Sequence, residues 1–378
     1  MRTLVVRLDS AGDVLLAGPA VRAAAAGSDA VTLLCGRQGA AAARLLPGVD
    51  EVLEWDAPWA GFDPPPVRAH DVQDLIHRLA ARCLDRALVL TSFHQSPLPA
   101  ALVLRMAGIG RICADSEDYP GSLLDLRHHR RPGRHEAEAA LDLALADGFA
   151  LPPGDDGSLR VLPAPDTRPL TGGGPYVVVH PGAAVPARTP SAPWMAAAVR
   201  ALTDEGHRVV VTGGPGEKAL TAAVADGHAV DLGGRTELPD LAGVLAGASA
   251  VVVGNTGPAH LAAAVGTPVV CLFAPVVPAE RWRPFRVPHI LLGRQDAECA
   301  GSRARLCPVP GHPCLDSVGP AEVTAAVTAL AGTGAARGKT RARRRGPARG
   351  RRQGPNEGQA QGPAQGPNQR RPAEEVTA

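Results

Sequence analysis

Aromatic side chains make up only 3% of this chain of 378 residues, so any core has to be packed from Ala, Val and Leu. Lysine is almost missing, at Lys218 and Lys339 alone, and arginine carries the basic charge. We read that skew as high-GC coding and not as chemistry. No apolar run approaches the ~18 residues of a membrane span. Met1–Leu8 leads straight into Asp9 and Asp13, with no apolar signal-peptide core. Seven cysteines, odd in number and scattered, do not make a disulfide framework. The expectation is a cytoplasmic protein with at most peripheral membrane contact. No G-x-G-x-x-G precedes a helix with an acid about 20 residues on, and no Walker lysine is present, which disfavours a dehydrogenase or a P-loop enzyme.

What is present suits a soluble enzyme with two α/β domains: 45% hydrophobic and 20% charged residues. The net charge of +2 is uneven. Residues 335–378 carry 11 basic and 3 acidic side chains, which leaves the first 334 residues at −6. The folded part therefore offers no basic footprint for specific nucleic-acid binding. The tail, rich in Arg, Gly, Pro and Gln, is expected to be disordered.

Along the chain, short apolar runs alternate with Ala-rich helical stretches. Residues 3–8, 30–35, 51–54, 87–91 and 111–114 read as strands. Segments 14–26, 38–46, 71–84, 99–107 and 134–146 read as helices. Repeated βα units imply a parallel sheet covered by helices over residues 1–150. Residues 151–175, rich in Gly, Pro and Asp, read as a linker. A second series fills 176–334, with strands at 176–180, 208–211, 229–232, 250–254 and 268–273 and helices between them.

The stretch Ala250–His260 is the most informative. A buried strand ends in Asn255-Thr256-Gly257-Pro258, with Thr256 placed to cap the next helix and Pro258 suited to its first turn. Thr256 and His260 share one side of that helix start, which makes a seat for an anion such as phosphate. An ordinary strand–helix junction would look the same in isolation. Comparable turns lie at Gly182 and at Gly213–Gly216, so three strand ends expose backbone N–H groups, a pattern that suits a nucleotide-type ligand. In the first half, Asp13 opens a helix after the turn Asp9–Gly12, where a carboxylate is favoured. His94, beyond the strand at 87–91, and Asp118, in the polar loop 115–122, are candidate acceptor contacts. Arg127–Arg131 is a basic cluster that lines a pocket or is simply solvated. Cys299, Cys307 and Cys314, with His312 among them, hint at metal ligation but lack a C-x-x-C unit, so buried thiols are the simpler reading.

Taken together, Val5–Leu15, His180–Ala183 and Asn255–Ala264 resemble glycosyltransferase family 9, the ADP-heptose:lipopolysaccharide heptosyltransferases. The resemblance spans about residues 1–330. It implies a GT-B architecture, two Rossmann-like domains facing a cleft, with acceptor on the first and sugar nucleotide on the second. It implies an inverting transferase without metal or other cofactor, and no D-x-D site is evident. Asp13 resembles the family's catalytic base. Arg188 resembles the cation on the diphosphate leaving group, Glu217 an acid on the ribose and Thr236 a residue beside the base. Gly182 and Gly214 belong to the donor turns, and Thr256, Gly257 and His260 match phosphate and sugar contacts. Asn255, also expected at the donor, stands where the family usually has Asp. The implied partners are an ADP-heptose-like nucleotide-diphospho-sugar and a glycan or glycolipid acceptor of the cell envelope, such as lipopolysaccharide core. A sugar-nucleotide epimerase on the same fold and a non-catalytic nucleotide-sugar-binding protein are the alternatives.

Overall fold

The computed structural model describes residues 1–331, and the tail expected to be disordered lies outside them. In the first half the elements run β1 (Arg2–Val6), α1 (Ala11–Leu16), α2 (Gly18–Ala26), β2 (Ala30–Cys35), α3 (Arg37–Ala43) and β3 (Glu51–Glu54), then α4 (Ala69–Ala80), β4 (Arg86–Val89), α5 (Leu98–Met106), β5 (Arg111–Asp115), β6 (Leu126–His128) and α6 (Glu136–Ala146). A short α7 (Arg168–Thr171) precedes the second half: β7 (Val177–His180), α8 (Ala192–Asp204), β8 (Val209–Val211), α9 (Lys218–Ala225), β9 (Val230–Asp231), α10 (Leu238–Gly247), β10 (Ala250–Gly254), α11 (Gly257–Val265), β11 (Val269–Leu272), α12 (Ala279–Trp282), β12 (His289–Leu292) and α13 (Pro313–Asp316). Residues 320–331 form a last helix.

Each half holds a six-stranded sheet, ordered β3-β2-β1-β4-β5-β6 and β12-β11-β10-β7-β8-β9. All pairings are parallel. The central strands are Val/Leu runs buried along nearly their whole length, as strands covered on both faces must be. Both orders reverse direction once, between β1 and β4 and between β7 and β10. Ligands of such sheets bind at the carboxyl ends of the strands flanking that reversal. The turns carrying Asp13, His94, Gly182 and Asn255 all leave these four strands.

The helices that cover the sheets pack closely because their facing residues are small. Ala20, Ala23 and Ala24 of α2 are fully buried, as are Ala139 and Ala140 of α6. Scarcity of aromatics is thus met by close helix approach rather than by large side chains. Few rings are buried; Phe273 is the largest side chain fully enclosed.

Several elements differ from the sequence expectation. The helix expected over 14–26 is two, because Gly18-Pro19 starts a new one; Pro lacks the N–H that would continue the first. The Arg127–Arg131 cluster includes an edge strand, β6, and the second series does not close at Phe273 but adds β12. Both are short, half-buried edge strands; β6 has no apolar run, and β12 carries only Ile290–Leu292. The segment 151–175 is fastened to the first half: Arg22 holds Asp155 through two bonds (2.6 and 3.0 Å) and Ser158 O (2.7 Å), and Leu162 N donates to Leu45 O (2.8 Å).

Asn255 ties the ends of β10 and β11 together. Its Nδ2 donates to Ala274 O and its Oδ1 accepts from Ala274 N, both at 3.2 Å, and the side chain is buried. An aspartate here keeps the second bond but sets a carboxylate oxygen against a carbonyl oxygen in a dry place. Asn255→Asp should therefore cost about 1–3 kcal/mol of stability. Urea unfolding measures this, and an unchanged midpoint would refute the strut.

Candidate functional site

The two switch-point turns meet. A β-carbon built on Gly12 would lie 3.1 Å from Gly257 Cα and 3.1 Å from His260 Cδ2, so α1 and α11 touch through glycine backbone. Asp13, in the first turn of α1, is thereby brought beside the start of α11.

Arg7 underlies Asp13. Sequence reasoning passed over it as part of a strand-length run, although a charge there has nowhere to go but the interior. It is 2% exposed. Its Nη2 donates to Asp13 Oδ1 (3.0 Å) and to Ser92 Oγ (2.8 Å), and its Nε lies 3.1 Å from Asp9 Oδ2. Ser10 Oγ donates to Asp13 Oδ2 at 2.8 Å. Burial acts to raise the Asp13 carboxyl, but Arg7, the Ser10 hydrogen bond, His260 and Arg188 outweigh it and hold the group below the usual carboxylate range. Asp9, which accepts from Gln95 Nε2 (2.5 Å), goes the other way: desolvation dominates and its carboxyl is raised.

Behind Arg7 lies Glu136, 1% exposed and also raised by burial. Arg130 Nη1 donates to it (2.7 Å), Arg7 stands 3.8 Å away and Arg281 Nη1 3.9 Å. Arg130 also donates to Thr91 O (2.7 Å) and pairs with Asp115 (3.3 Å), which His128 bonds as well. Part of the basic cluster is thus turned inward as support for the site. No local motif marks this; only the fold assembles it.

On the second half, three buried polar atoms around the β7 and β10 turns have no hydrogen-bond partner: Arg188 Nε, Thr256 Oγ1 and His260 Nδ1. The expected Thr256 cap is absent; the residue holds the N-cap position with extended backbone, but its hydroxyl makes no capping bond. His260 is pulled down to about 4 by burial, opposed by Asp13 and reinforced by Arg188, so its ring is neutral at pH 7. Burial also lowers Arg188, against the pull of Asp13. An unpaired guanidinium nitrogen, a hydroxyl and a neutral imidazole beside a helix start are fitted to receive an anion's oxygens.

The remaining candidates fall in two groups. Glu217 accepts from Gly214 N (2.7 Å) and fills the space over Gly182, where any β-carbon would collide with its carboxyl. These three form one wall at the ends of the adjacent strands β7 and β8. Thr236 lies half-buried between β9 and α10, at the outer edge of that wall. Asn255 is engaged with Ala274, as described above, so its amide serves the sheet. On the first half, His94 is exposed, and its imidazole is shifted down by desolvation and by Arg303, against the pull of Asp13. Asp118 Oδ2 accepts from Ser96 Oγ at 3.4 Å. Ser96, Asp9, Trp59, Thr91 and Gln95 line a small cavity of about 20 Å³ at the ends of β1 and β4.

Cys299, Cys307 and Cys314 carry free thiols, and His312 bonds Ala187 O. Among the described residues no three His, Cys, Asp or Glu side chains are grouped to hold a metal ion. No described helix is long and apolar enough to cross a membrane.

Against known proteins, the sequence model of glycosyltransferase family 9 (heptosyltransferase) matches residues 72–312. That span includes Arg188, Glu217 and Asn255–His260 and begins beyond Asp13. No curated protein sequence matches the chain. Among solved structures, E. coli ADP-heptose LPS heptosyltransferase II superposes with a TM-score of 0.70 at 20% identity, covering 88% of this chain and 99% of that one. A glycosyltransferase family 9 protein of Veillonella parvula gives 0.70 at 17%, covering 88% and 97%. E. coli heptosyltransferase WaaC with ADP gives 0.63 at 19%, covering 89% and 100%. At such identities the likeness is one of fold, and it extends over nearly the whole of each relative. With the family model covering well over half its length and both sheets arranged as in GT-B heptosyltransferases, the chain belongs to glycosyltransferase family 9.

Proposed function

We propose that the chain is an inverting, metal-independent transferase that moves heptose or a related sugar from a nucleoside-diphospho-sugar to a hydroxyl of a cell-envelope glycan or another acceptor. The observation that carries this reading is the set of three unpartnered polar atoms, Arg188 Nε, Thr256 Oγ1 and His260 Nδ1, beside the start of α11. Asp13 stands across the glycine contact from them. The likeness to the ADP-bound WaaC makes ADP the first nucleotide to test. The seven free cysteines fit a cytoplasmic site of action.

On this reading the acceptor hydroxyl attacks the anomeric carbon from the face opposite the diphosphate. Asp13 takes its proton, the carbon–oxygen bond to the diphosphate breaks, and the nucleoside diphosphate leaves with the bonding pair. Direct displacement inverts the anomeric centre. Arg188 and the N–H groups at the start of α11 receive the leaving charge. The neutral His260 ring serves as a hydrogen-bonding partner, not a second cation. Glu217 and Thr236 hold the nucleoside, with Gly182 and Gly214 giving close backbone approach. His94 and Asp118 flank the acceptor at the cavity beside Asp9.

Asp13→Asn should lower transfer by about 10²–10⁴-fold, the usual share of a general base, while ADP affinity stays within about twofold. Calorimetry and a product assay read both, and undiminished turnover would sink the assignment. Because Arg7 helps hold Asp13 in its anionic form, Arg7→Met should leave burial dominant and shift the acid limb of the kcat/KM profile to higher pH. An unmoved limb would remove Arg7 from the mechanism. Turnover should persist in EDTA; loss that a divalent ion restores would overturn metal independence.

A further inference from the structure

Arg188 lies at the end of a short 3₁₀ turn, Pro186–Arg188. The residue before it, Ala187, is buried and held by both of its backbone groups. Its N–H donates to Arg305 O at 3.0 Å, and its carbonyl lies 3.2 Å from His312 Nε2. A carbonyl only accepts, so Nε2 carries the proton in this contact. Both partners belong to one loop, residues 299–314, which leaves the second core at Cys299 and returns to it at Cys314, both buried. On the opposite side, the Arg188 carbonyl lies so close to Gly254 that a β-carbon there would be 2.3 Å from it. The turn is therefore clamped between the end of β10 and the 299–314 loop. What stays without a hydrogen-bond partner is the buried guanidinium Nε.

The loop is itself anchored to the first half. Arg305 Nη1 donates to Phe62 O at 3.2 Å, and its guanidinium lies over the Phe62 ring, 5.1 Å from the centroid. His312 adopts a left-handed backbone, φ 47° and ψ 50°, a conformation a non-glycine residue keeps only where its surroundings hold it.

We propose that His312 is a positioning residue for Arg188: by holding Ala187 through its Nε2–H it fixes the turn from which the guanidinium reaches the donor's diphosphate. The proposal rests on the reading of Arg188 as an anion ligand. The loop that supplies His312 is braced on Phe62, so the seat of this cation is referenced to both halves of the molecule and not to the second alone.

The test is a double-mutant cycle on the full chain, with ADP as the probe in calorimetry and thermal melting to confirm folding. His312→Phe keeps a ring and loses the donor; His312→Gln keeps an N–H at similar reach and loses the ring. His312→Phe should weaken ADP binding about tenfold, the order expected when one charge-assisted contact is misplaced. His312→Gln should stay near the parent value. In an Arg188→Met background, His312→Phe should cost nothing further, because the group it positions is gone. If the Phe ring is not accommodated, His312→Ala takes its place. Full loss from His312→Phe on top of Arg188→Met would overturn the positioning role and leave the anion site standing. No loss from His312→Phe with Arg188 intact would overturn it as well. Unchanged ADP affinity in Arg188→Met alone would remove the anion site and this proposal with it.

Discussion

The candidate site depends on two helix starts being able to touch. α1 and α11 are entered from switch-point strands of different sheets, and Gly12 meets Gly257 without a side chain between them. A single methyl at position 12 would press on both the Gly257 backbone and the His260 ring. On the proposed reading, widening that contact would separate the proton acceptor from the leaving-group site, which must act on one molecule at once. Bringing two helix starts together also concentrates unpaired N–H dipoles. Asp13, in the first turn of α1, supplies negative charge where those dipoles favour it.

Arg7 gathers the carboxyls beneath that helix start. Three carboxyls surround it, and a buried guanidinium is tolerated only when several such partners offset its loss of water. Burial raises two of them, Asp9 and Glu136, whereas Asp13 alone is lowered. The carboxyl held lowest is the one beside the start of α11. Environments that push neighbouring carboxyls apart in this way separate their roles. Arg130 and Arg281 pair with Glu136 and so complete the charged layer behind Arg7.

Much of this was legible beforehand because it is local. A buried strand, a glycine turn and a helix follow from neighbouring residues, and both halves showed the pattern in order. The GT-B arrangement came through resemblance and agrees with the two sheets found. The misses were long-range or marginal. β6 is a half-buried edge strand defined by its pairing and not by its composition, and β12, though apolar, is a four-residue edge strand set beyond α12. Thr256 had the residue type of a cap but not its hydrogen bond, and the unused hydroxyl became a stronger sign of a ligand than a cap would have been. Glu136 and Arg130 lie far from Arg7 in sequence, and no spacing rule joins them.

Asn255 shows why a departure from a family pattern has to be placed in space before it is interpreted. From sequence it is expected at the donor, in a position where the family usually has Asp. In the fold both ends of its amide bind Ala274, and they stitch β10 to β11. Its effect on the donor is then indirect: where the family usually has an acid, the chain carries a neutral strut, and the seat around Arg188, Thr256 and His260 contains one negative charge fewer. On the proposed reading a diphosphate gains from that whatever sugar it bears, since the change acts through charge and not through a shaped contact. On the proposed reading, discrimination between donors is left to groups that can meet the nucleoside and sugar directly. Those are the Glu217–Gly214–Gly182 wall and Thr236, which follows β9.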